Sequence, residues 1–353
     1  MVPTLEYGVG LWGAGDRLCQ MKRVWEQEIE SFFRQAARFI LGVPIRSPTS
    51  GVYGDLGLLP FWTRAGWQAA SLWARAIRAG PNLLIGKAMM VQRALFLLKM
   101  PCWLKSVHGS LCKYGLGKEV WSEWGDACDV YNRKHTYVCP SRARADAMEE
   151  PFNCLEFHFK KMYEAGAEME WYVDVHRVNA KAGEMAGGNK LRTYAGFKSN
   201  IGSDYMCRYL KEIYSRKKQQ LLSKFRIGVC PLRIETGRYE VNEKKGKGIP
   251  VNMRTCQMCD CGDVEDEFHF LMMCPKYNDL RHILFERLGI QKEAFEGVDK
   301  LKWLFNDMLS EYPEYNPLRS AVIMRHIRIS AFLWKAFTVR TACMLKESKT
   351  LSS

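Results

Sequence analysis

Apolar side chains recur at helical spacing along most of the chain. Between residues 22 and 41 they fall three or four positions apart, and Gly42 and Pro44 follow at once, so the pattern predicts an amphipathic helix that ends there. The same spacing predicts helices over residues 62–79, 83–98, 120–131, 152–175, 205–226, 275–288, 301–309 and 318–345. We therefore expect a mainly α protein made of bundle-like units of several helices.

The predicted helices group into four segments. Residues 1–100 form a helical segment with a Pro- and Gly-rich joint at residues 42–60, and residues 101–190 form an irregular helical middle region. Residues 191–290 hold a basic helical segment and a cysteine cluster, and residues 291–353 form a helical tail. The tryptophans of the helix over residues 62–79 are expected in a core, because each has a large apolar area to bury. On the tail, the lone His326 is expected at the surface.

The composition is that of a folded intracellular protein. The 353 residues are 47% hydrophobic and 25% charged, which excludes a disordered tail. The apolar runs are too short to cross a bilayer and no secretion signal is recognisable, so we expect a nuclear or cytoplasmic protein without a membrane partner. The chain has thirteen cysteines, and this odd number favours free thiols and metal ligands in a reducing compartment.

Most of the excess positive charge falls in one segment. The formal net charge is +14, and residues 191–250 contain fourteen Lys and Arg against five Asp and Glu. Such a segment suits a polyanion, so we predict RNA or DNA as the partner rather than a small-molecule substrate. A merely solvated basic face is the alternative. The candidate phosphate contacts are Arg192, Arg216, Lys217, Lys218, Lys224, Arg226, Arg233, Arg238, Lys244, Lys245 and Lys247.

A cysteine cluster at residues 256–274 has the spacing of a C2HC zinc knuckle. Cys256, Cys259, His269 and Cys274 follow the pattern C-x2-C-x9-H-x4-C, and the two-residue gap lets one turn aim two thiolates at one metal ion. Four ligands leave no open position, so we expect a structural Zn²⁺ rather than a catalytic one. A register that pairs Cys256 with Cys261 is an alternative, since a four-residue gap also occurs in zinc sites.

The cysteine cluster itself is acidic. Residues 251–290 contain four basic and seven acidic side chains, and the acids within residues 263–267 would repel phosphate. We therefore expect the metal unit to orient its basic neighbours rather than to grip a nucleic acid directly. Its aromatic side chains, Phe268 and Phe270, form either a small core around the metal or a contact to bases.

Seven short stretches carry a family resemblance. Four are residues 191–194 (LRTY), 224–239 (KFRIGVCPLRIETGRY), 264–271 (VEDEFHFL) and 274–281 (CPKYNDLR). Three more are residues 6–13 (EYGVGLWG), 39–44 (FILGVP) and 52–60 (VYGDLGLLP). The first four resemble the C-terminal region of non-LTR (LINE-type) retrotransposon polyproteins. The last three resemble the segment that follows the reverse-transcriptase thumb in the same family.

The resemblance implies that the four cluster residues are zinc ligands and that the region grips template RNA or target DNA. Polymerase chemistry uses paired aspartates to hold two divalent ions, and this chain contains no adjacent Asp-Asp pair. We therefore predict a non-enzymatic C-terminal fragment of a retrotransposon reverse transcriptase protein that binds nucleic acid. The alternative is a zinc-stabilised helical protein-interaction module, or a decayed remnant without nucleic-acid binding.

Overall fold

The computed structural model describes residues 19–79, 82–100, 102–113, 151–176, 190–199, 201–202, 206–240, 248–289, 301, 304–305 and 317–350. Their α-helices are α1 (Cys19–Leu41), α2 (Thr49–Leu56), α3 (Phe61–Ala79), α4 (Leu84–Leu97), α5 (Trp103–Lys113), α6 (Pro151–His176), α7 (Tyr209–Glu212), α8 (Arg216–Arg226), α9 (Arg233–Thr236), α10 (Asn278–Leu288) and α11 (Pro317–Thr350). Within these residues no strand forms, and one isolated β-bridge joins Thr255 to Val264. The predicted mainly α fold is confirmed.

Most of the predicted helices are present. Helices α1, α3, α4, α6, α10 and α11 lie close to the ranges that apolar spacing predicted. The helix predicted over residues 120–131 lies outside the described residues. Of the one predicted over residues 301–309, only residues 301, 304 and 305 are described, and all three are buried.

Helix α2 lies inside the segment that was predicted to be an irregular joint, so that prediction is wrong. Its glycines, which weaken a helical pattern, serve close packing instead. A Cβ on Gly54 would lie 2.4 Å from the Tyr194 hydroxyl, and one on Gly51 would lie 2.7 Å from a methyl group of Leu191. Gly57, at φ 63°, ends the helix in the left-handed conformation that glycine adopts at no steric cost. Helix α5 likewise lies in a region predicted to be irregular.

The continuous basic helix predicted over residues 205–226 is two helices. Helix α7 ends after a single turn, and Ile213 and Ser215 both have extended backbone before α8 begins. The apolar spacing continues through the break because Ile213 is still buried, so the sequence pattern does not reveal the interruption.

Contacts divide the chain into two compact units, Met1–Phe33 with Leu59–Met169 and Arg34–Leu58 with Glu170–Ser353. In the first unit α3, α4 and α5 pack against one another. Trp73 is buried there, as predicted, with its ring 6.1 Å from that of Phe159. The Tyr163 hydroxyl donates to Ser110 Oγ at 2.6 Å. The four-segment division of the sequence stays a prediction.

In the second unit α11 packs against α7, α8 and α10. His326 of α11 is fully buried, with its ring 6.1 Å from that of Tyr209, so the expectation that it lies at the surface is wrong. From the sequence alone, a single histidine on a helix face with charged residues is expected at the surface. Only the packed structure shows that another helix covers this position. Among the described helices, none has the length and apolar content that crossing a bilayer requires.

Candidate metal centre

The first two cysteines of the cluster lie in a short hairpin-like loop of the second unit. The amide of Cys256 donates to the Asp263 carbonyl at 2.8 Å, and the amide of Glu265 donates to the Arg254 carbonyl at 2.9 Å. Gly262, at φ 74°, lets the chain reverse inside this loop. The Met258 amide lies 3.4 Å from Cys256 Sγ and donates to it, which turns the chain so that Cys259 faces the same point.

The other two ligand-type residues frame a π-helical stretch, His269–Met273. In an α-helix, residues five positions apart point about 140° away from each other. The wider π-turn corrects this mismatch, because the Cys274 amide donates to the His269 carbonyl at 2.7 Å and brings the two side chains to one side. Asp266 starts the turn by accepting from the His269 amide at 2.7 Å.

The four side chains converge on one point. One ligand atom from each of Cys256, Cys259, His269 and Cys274 lies within 4.8 Å of the others. Cys259 Sγ is 3.4 Å from His269 Nε2, and Cys256 Sγ is 3.9 Å from Cys274 Sγ. Ligand atoms around a tetrahedral ion with bonds of about 2.0–2.3 Å lie roughly 3.4–3.8 Å apart, so the donor set fits one metal ion.

The spare cysteine does not join the group. Cys261 is exposed, whereas Cys256, His269 and Cys274 are buried and Cys259 is half-buried. The structure thus brings together the four residues that the sequence predicted as ligands. Cys261, the alternative partner of Cys256, lies outside this cluster. Four side chains around one point can enclose an ion, which would hold the loop and the π-turn together.

Burial sets the protonation of the donors. It raises the pKa of the Cys256 and Cys274 thiols and lowers the pKa of the His269 imidazole. His269 is therefore neutral near pH 7, and its Nε2 is the nitrogen that points toward Cys259. The other ring nitrogen, Nδ1, lies 3.6 Å from the carboxylate of Asp263. This distance is too long for a hydrogen bond, but it places a carboxylate on the side of the ring where histidine ligands usually have their outer partner.

Two acids of the cluster face inward, contrary to the expectation that they repel phosphate. Glu265 is fully buried and accepts from Arg340 Nη2 and from the Arg233 amide, both at 2.8 Å. Glu267 is buried and accepts from Arg192 Nη2 at 2.6 Å and from Thr193 Oγ1 at 3.1 Å. Their negative charge is neutralised inside the protein and does not reach a ligand at the surface.

Arginines also hold the backbone of the cluster. Arg281 donates to the carbonyls of Leu271 and Cys274, each at 2.8 Å, which satisfies the end of the π-turn. The buried Arg254 donates to the carbonyls of Ile249 and Ile234 at 2.8 and 2.7 Å. These fixed contacts make the cluster part of the second unit rather than a finger on a flexible stalk.

Of the two aromatic residues of the cluster, Phe270 belongs to the core that the cluster shares with α11, whereas Phe268 is half-buried. The Phe270 ring is fully buried and stacks on Phe337 with centroids 4.7 Å apart, and the Tyr277 ring lies at the same distance. Phe270 is therefore not available to stack on a base, and the expected private core of the knuckle is instead part of the core of the whole unit.

Four of the five arginines predicted to contact phosphate are paired with acids. Arg226 is fully buried, and its guanidinium lies 3.2 Å from Asp55 Oδ1, so its assignment as a phosphate contact is corrected. Arg192 pairs with Glu267 as described above. Two further pairs join Arg233 to Glu240 and, at 2.8 Å, Arg238 to Glu235.

The predicted lysines lie differently. Lys217 is exposed and Lys218 and Lys224 are half-buried; across the described ranges none of the three forms an ion pair. Arg216 is exposed but donates to Gln219 Oε1 at 2.8 Å and to the Phe39 carbonyl at 3.1 Å. The remaining candidates, Lys244, Lys245 and Lys247, lie outside the described residues.

Sequence reasoning missed the groups that support these residues. Asp55 lies far along the chain from Arg226, and nothing local in the sequence links them. Asp263 had a signal, because a carboxylate within a histidine-containing ligand loop is a candidate partner for the second ring nitrogen. No family model matches the chain, and neither a curated protein nor a solved structure matches it in the comparisons made. The chemistry of the site therefore rests on its own geometry.

Proposed function

We propose that this chain is a non-catalytic C-terminal part of a non-LTR retrotransposon reverse transcriptase protein that binds RNA or DNA. In this proposal a structural Zn²⁺ at the Cys/His cluster stabilises the second unit, and the lysines of α8 contact phosphates. Three thiols and one imidazole form a donor set that suits zinc, and their closed arrangement leaves no place for a reacting water.

The observation that carries the proposal is the set of cations at the start of α8. Arg216, Lys217 and Lys218 occupy the first turn, and that turn contains no acid. Cations at this end of a helix oppose the helix dipole, at a cost of about 0.3–1 kcal/mol each when exposed. Arg216 is hydrogen-bonded within the protein, but the position of Lys217 and Lys218 does not serve stability, whereas contact with phosphates explains it.

A second candidate function is a protein-interaction module. Helix α4 supports it, because Leu84, Val91 and Leu97 are more than half exposed within the described part of the first unit. Exposed apolar side chains of this kind suit a protein partner more than a polyanion. The two functions differ in salt dependence, since phosphate contacts release counterions and apolar contacts do not.

Binding of the full, zinc-loaded chain to labelled single-stranded RNA and to duplex DNA tests the proposal. Titrations repeated across a salt series should give affinities that fall linearly with the logarithm of salt concentration. A chelator should abolish binding, because loss of the metal unfolds the unit that carries α8. A folded, metal-loaded chain that binds neither polymer at low salt contradicts the proposal.

A further inference from the structure

One aromatic side chain of the basic segment lies wholly in solvent. Tyr214 is 100% exposed, whereas Tyr194 and Tyr209 of the same unit are fully buried. Tyrosine has a large apolar ring that usually stabilises a protein by being buried, and an uncovered ring makes no such contribution. The described part of the chain offers no packing reason for a tyrosine at this position.

The backbone explains why the ring points outward. Tyr214 lies in the break between α7 and α8, where Ile213 and Ser215 have extended backbone. Successive side chains of an extended segment point to opposite sides. Since Ile213 is buried in the core of the second unit, Tyr214 has to project into solvent. The buried Ile213 therefore holds the neighbouring Tyr214 at a fixed position on the surface.

The surroundings of the ring are basic. Residues 208–218 contain five Lys and Arg and a single acid, Glu212, which is half-buried. Lys217 and Lys218 follow Tyr214 by three and four positions, so both start the helix that the ring precedes. An exposed aromatic ring flanked by cations is the arrangement with which proteins hold single strands, one group stacking on a base and the others contacting phosphates.

We propose that Tyr214 stacks on a base of a single-stranded nucleic acid whose phosphates contact Lys217 and Lys218. This inference rests on the proposed function and narrows its substrate class. Bases within a duplex already stack on one another and present no free face to a side chain, whereas an unpaired base does. Stacking accepts any base, so the surface prefers single strands without selecting a sequence.

The test uses the full zinc-loaded chain and a labelled oligouridylate of about 12 nucleotides, a length within the range that single-strand sites cover. Tyr214→Ala should weaken binding roughly 5- to 150-fold, the range that corresponds to losing one base–aromatic stack, and Tyr214→Phe should keep wild-type affinity. Binding to a duplex DNA of the same length should not change. Because the side chain is fully exposed, neither substitution should alter the fold.

Tyr172→Ala is the matched control. Tyr172 is 48% exposed, stacks on His176 and lies near Glu168, Glu170 and Asp174, so its removal should leave affinity unchanged. Wild-type affinity of Tyr214→Ala would overturn the stacking proposal, as would a loss in Tyr214→Phe equal to that in Tyr214→Ala. If Lys217→Ala with Lys218→Ala still weakened binding, the proposed function would stand without the stack. Absence of binding by the wild-type chain would overturn both.

Discussion

The arginines around the Cys/His cluster and the lysines of α8 carry the same charge in opposite surroundings. Arg192 and Arg340 reach into the unit and meet the buried carboxylates of Glu267 and Glu265. Lys217 and Lys218 meet no carboxylate within the described residues. The positive charge counted along the sequence is therefore larger than the charge at the surface, because buried carboxylates neutralise these arginines inside the protein.

The difference follows from the chemistry of the two side chains. The guanidinium is planar, offers several donors in a fixed fork and is weakly hydrated, so it tolerates burial beside a carboxylate. The ammonium group of lysine is strongly hydrated, which favours an exposed position, although Lys190 of the same unit pairs with Glu235 and Lys198 is buried. Burial raises the pKa of both Glu265 and Glu267 despite their arginine partners, so these pairs define the packing rather than add much net stability. Removing one partner should nevertheless be costly.

The largest expected effect is the loss of metal and of folded structure when a ligand of the Cys/His cluster is replaced. Cys274→Ser should release the metal and unfold at least residues 254–289, because the apparent binding free energy of structural zinc is roughly 10–16 kcal/mol in small zinc domains. Metal content by mass spectrometry and thermal unfolding by circular dichroism would report both effects. Cys261→Ser, which changes an exposed cysteine outside the cluster, should keep the metal and the wild-type transition. Full metal occupancy in Cys274→Ser would contradict the assignment.

The next effect concerns Arg226, which is fully buried. Arg226→Ala should lower the free energy of unfolding by about 3–5 kcal/mol, because the buried Asp55 carboxylate would lose its guanidinium partner. Urea denaturation measures the change. Lys224→Ala, on the same helix and half-buried, should cost less than about 1 kcal/mol. Equal losses in the two variants would mean that burial does not separate arginines from lysines in this segment.

A third effect is the pH dependence of the metal centre. Because the pKa values of the Cys256 and Cys274 thiols are raised, both thiols are protonated at neutral pH without a metal, and binding must displace these protons. Metal affinity should therefore rise with pH, by roughly tenfold per unit for each of the two thiols. Competition with a chromophoric chelator between about pH 6 and pH 8 measures it. An affinity that is independent of pH would exclude these thiols as ligands.

Apolar spacing was enough to place the long helices, because the apolar side chains of α1, α3 and α11 recur every three or four positions over several turns. It failed at α2, where Gly51 and Gly54 weaken the helical pattern yet allow close packing. The ligand set was also predictable, since the spacing of thiols and imidazole is local. The π-turn that brings His269 and Cys274 together was not, because no residue pattern distinguishes it from an α-turn.

The burial of the arginines could not be predicted from local sequence. Arg226 lies 171 residues from Asp55, and Arg340 lies 75 residues from Glu265. Only the packed chain brings these partners together, so charge counting overestimates the positive charge that is available at the surface. The exposure of Tyr214 had only a weak signal in the sequence. If Ile213 belongs to the buried apolar face, the side chain that follows it points elsewhere.

The smallest expected effect is on stability at the lysines. Lys217→Ala combined with Lys218→Ala should raise the free energy of unfolding by about 0.6–2 kcal/mol, because both cations oppose the dipole of α8 at a cost of about 0.3–1 kcal/mol each. Urea denaturation beside Arg226→Ala makes the comparison. A loss greater than about 1 kcal/mol would show that these lysines, like the arginines, support the fold.

The most direct test of the account is the salt dependence of single-stranded RNA binding by this double lysine variant. Each lost phosphate contact should reduce the slope of log affinity against log salt by about 0.7, so the variant should differ from wild type by about 1.4. The control is Lys160→Ala with Lys161→Ala, an adjacent exposed pair whose lysines both lie near Glu164, which should keep the wild-type slope. A wild-type slope in the α8 variant would contradict the claim that its lysines, rather than the paired arginines, face the nucleic acid.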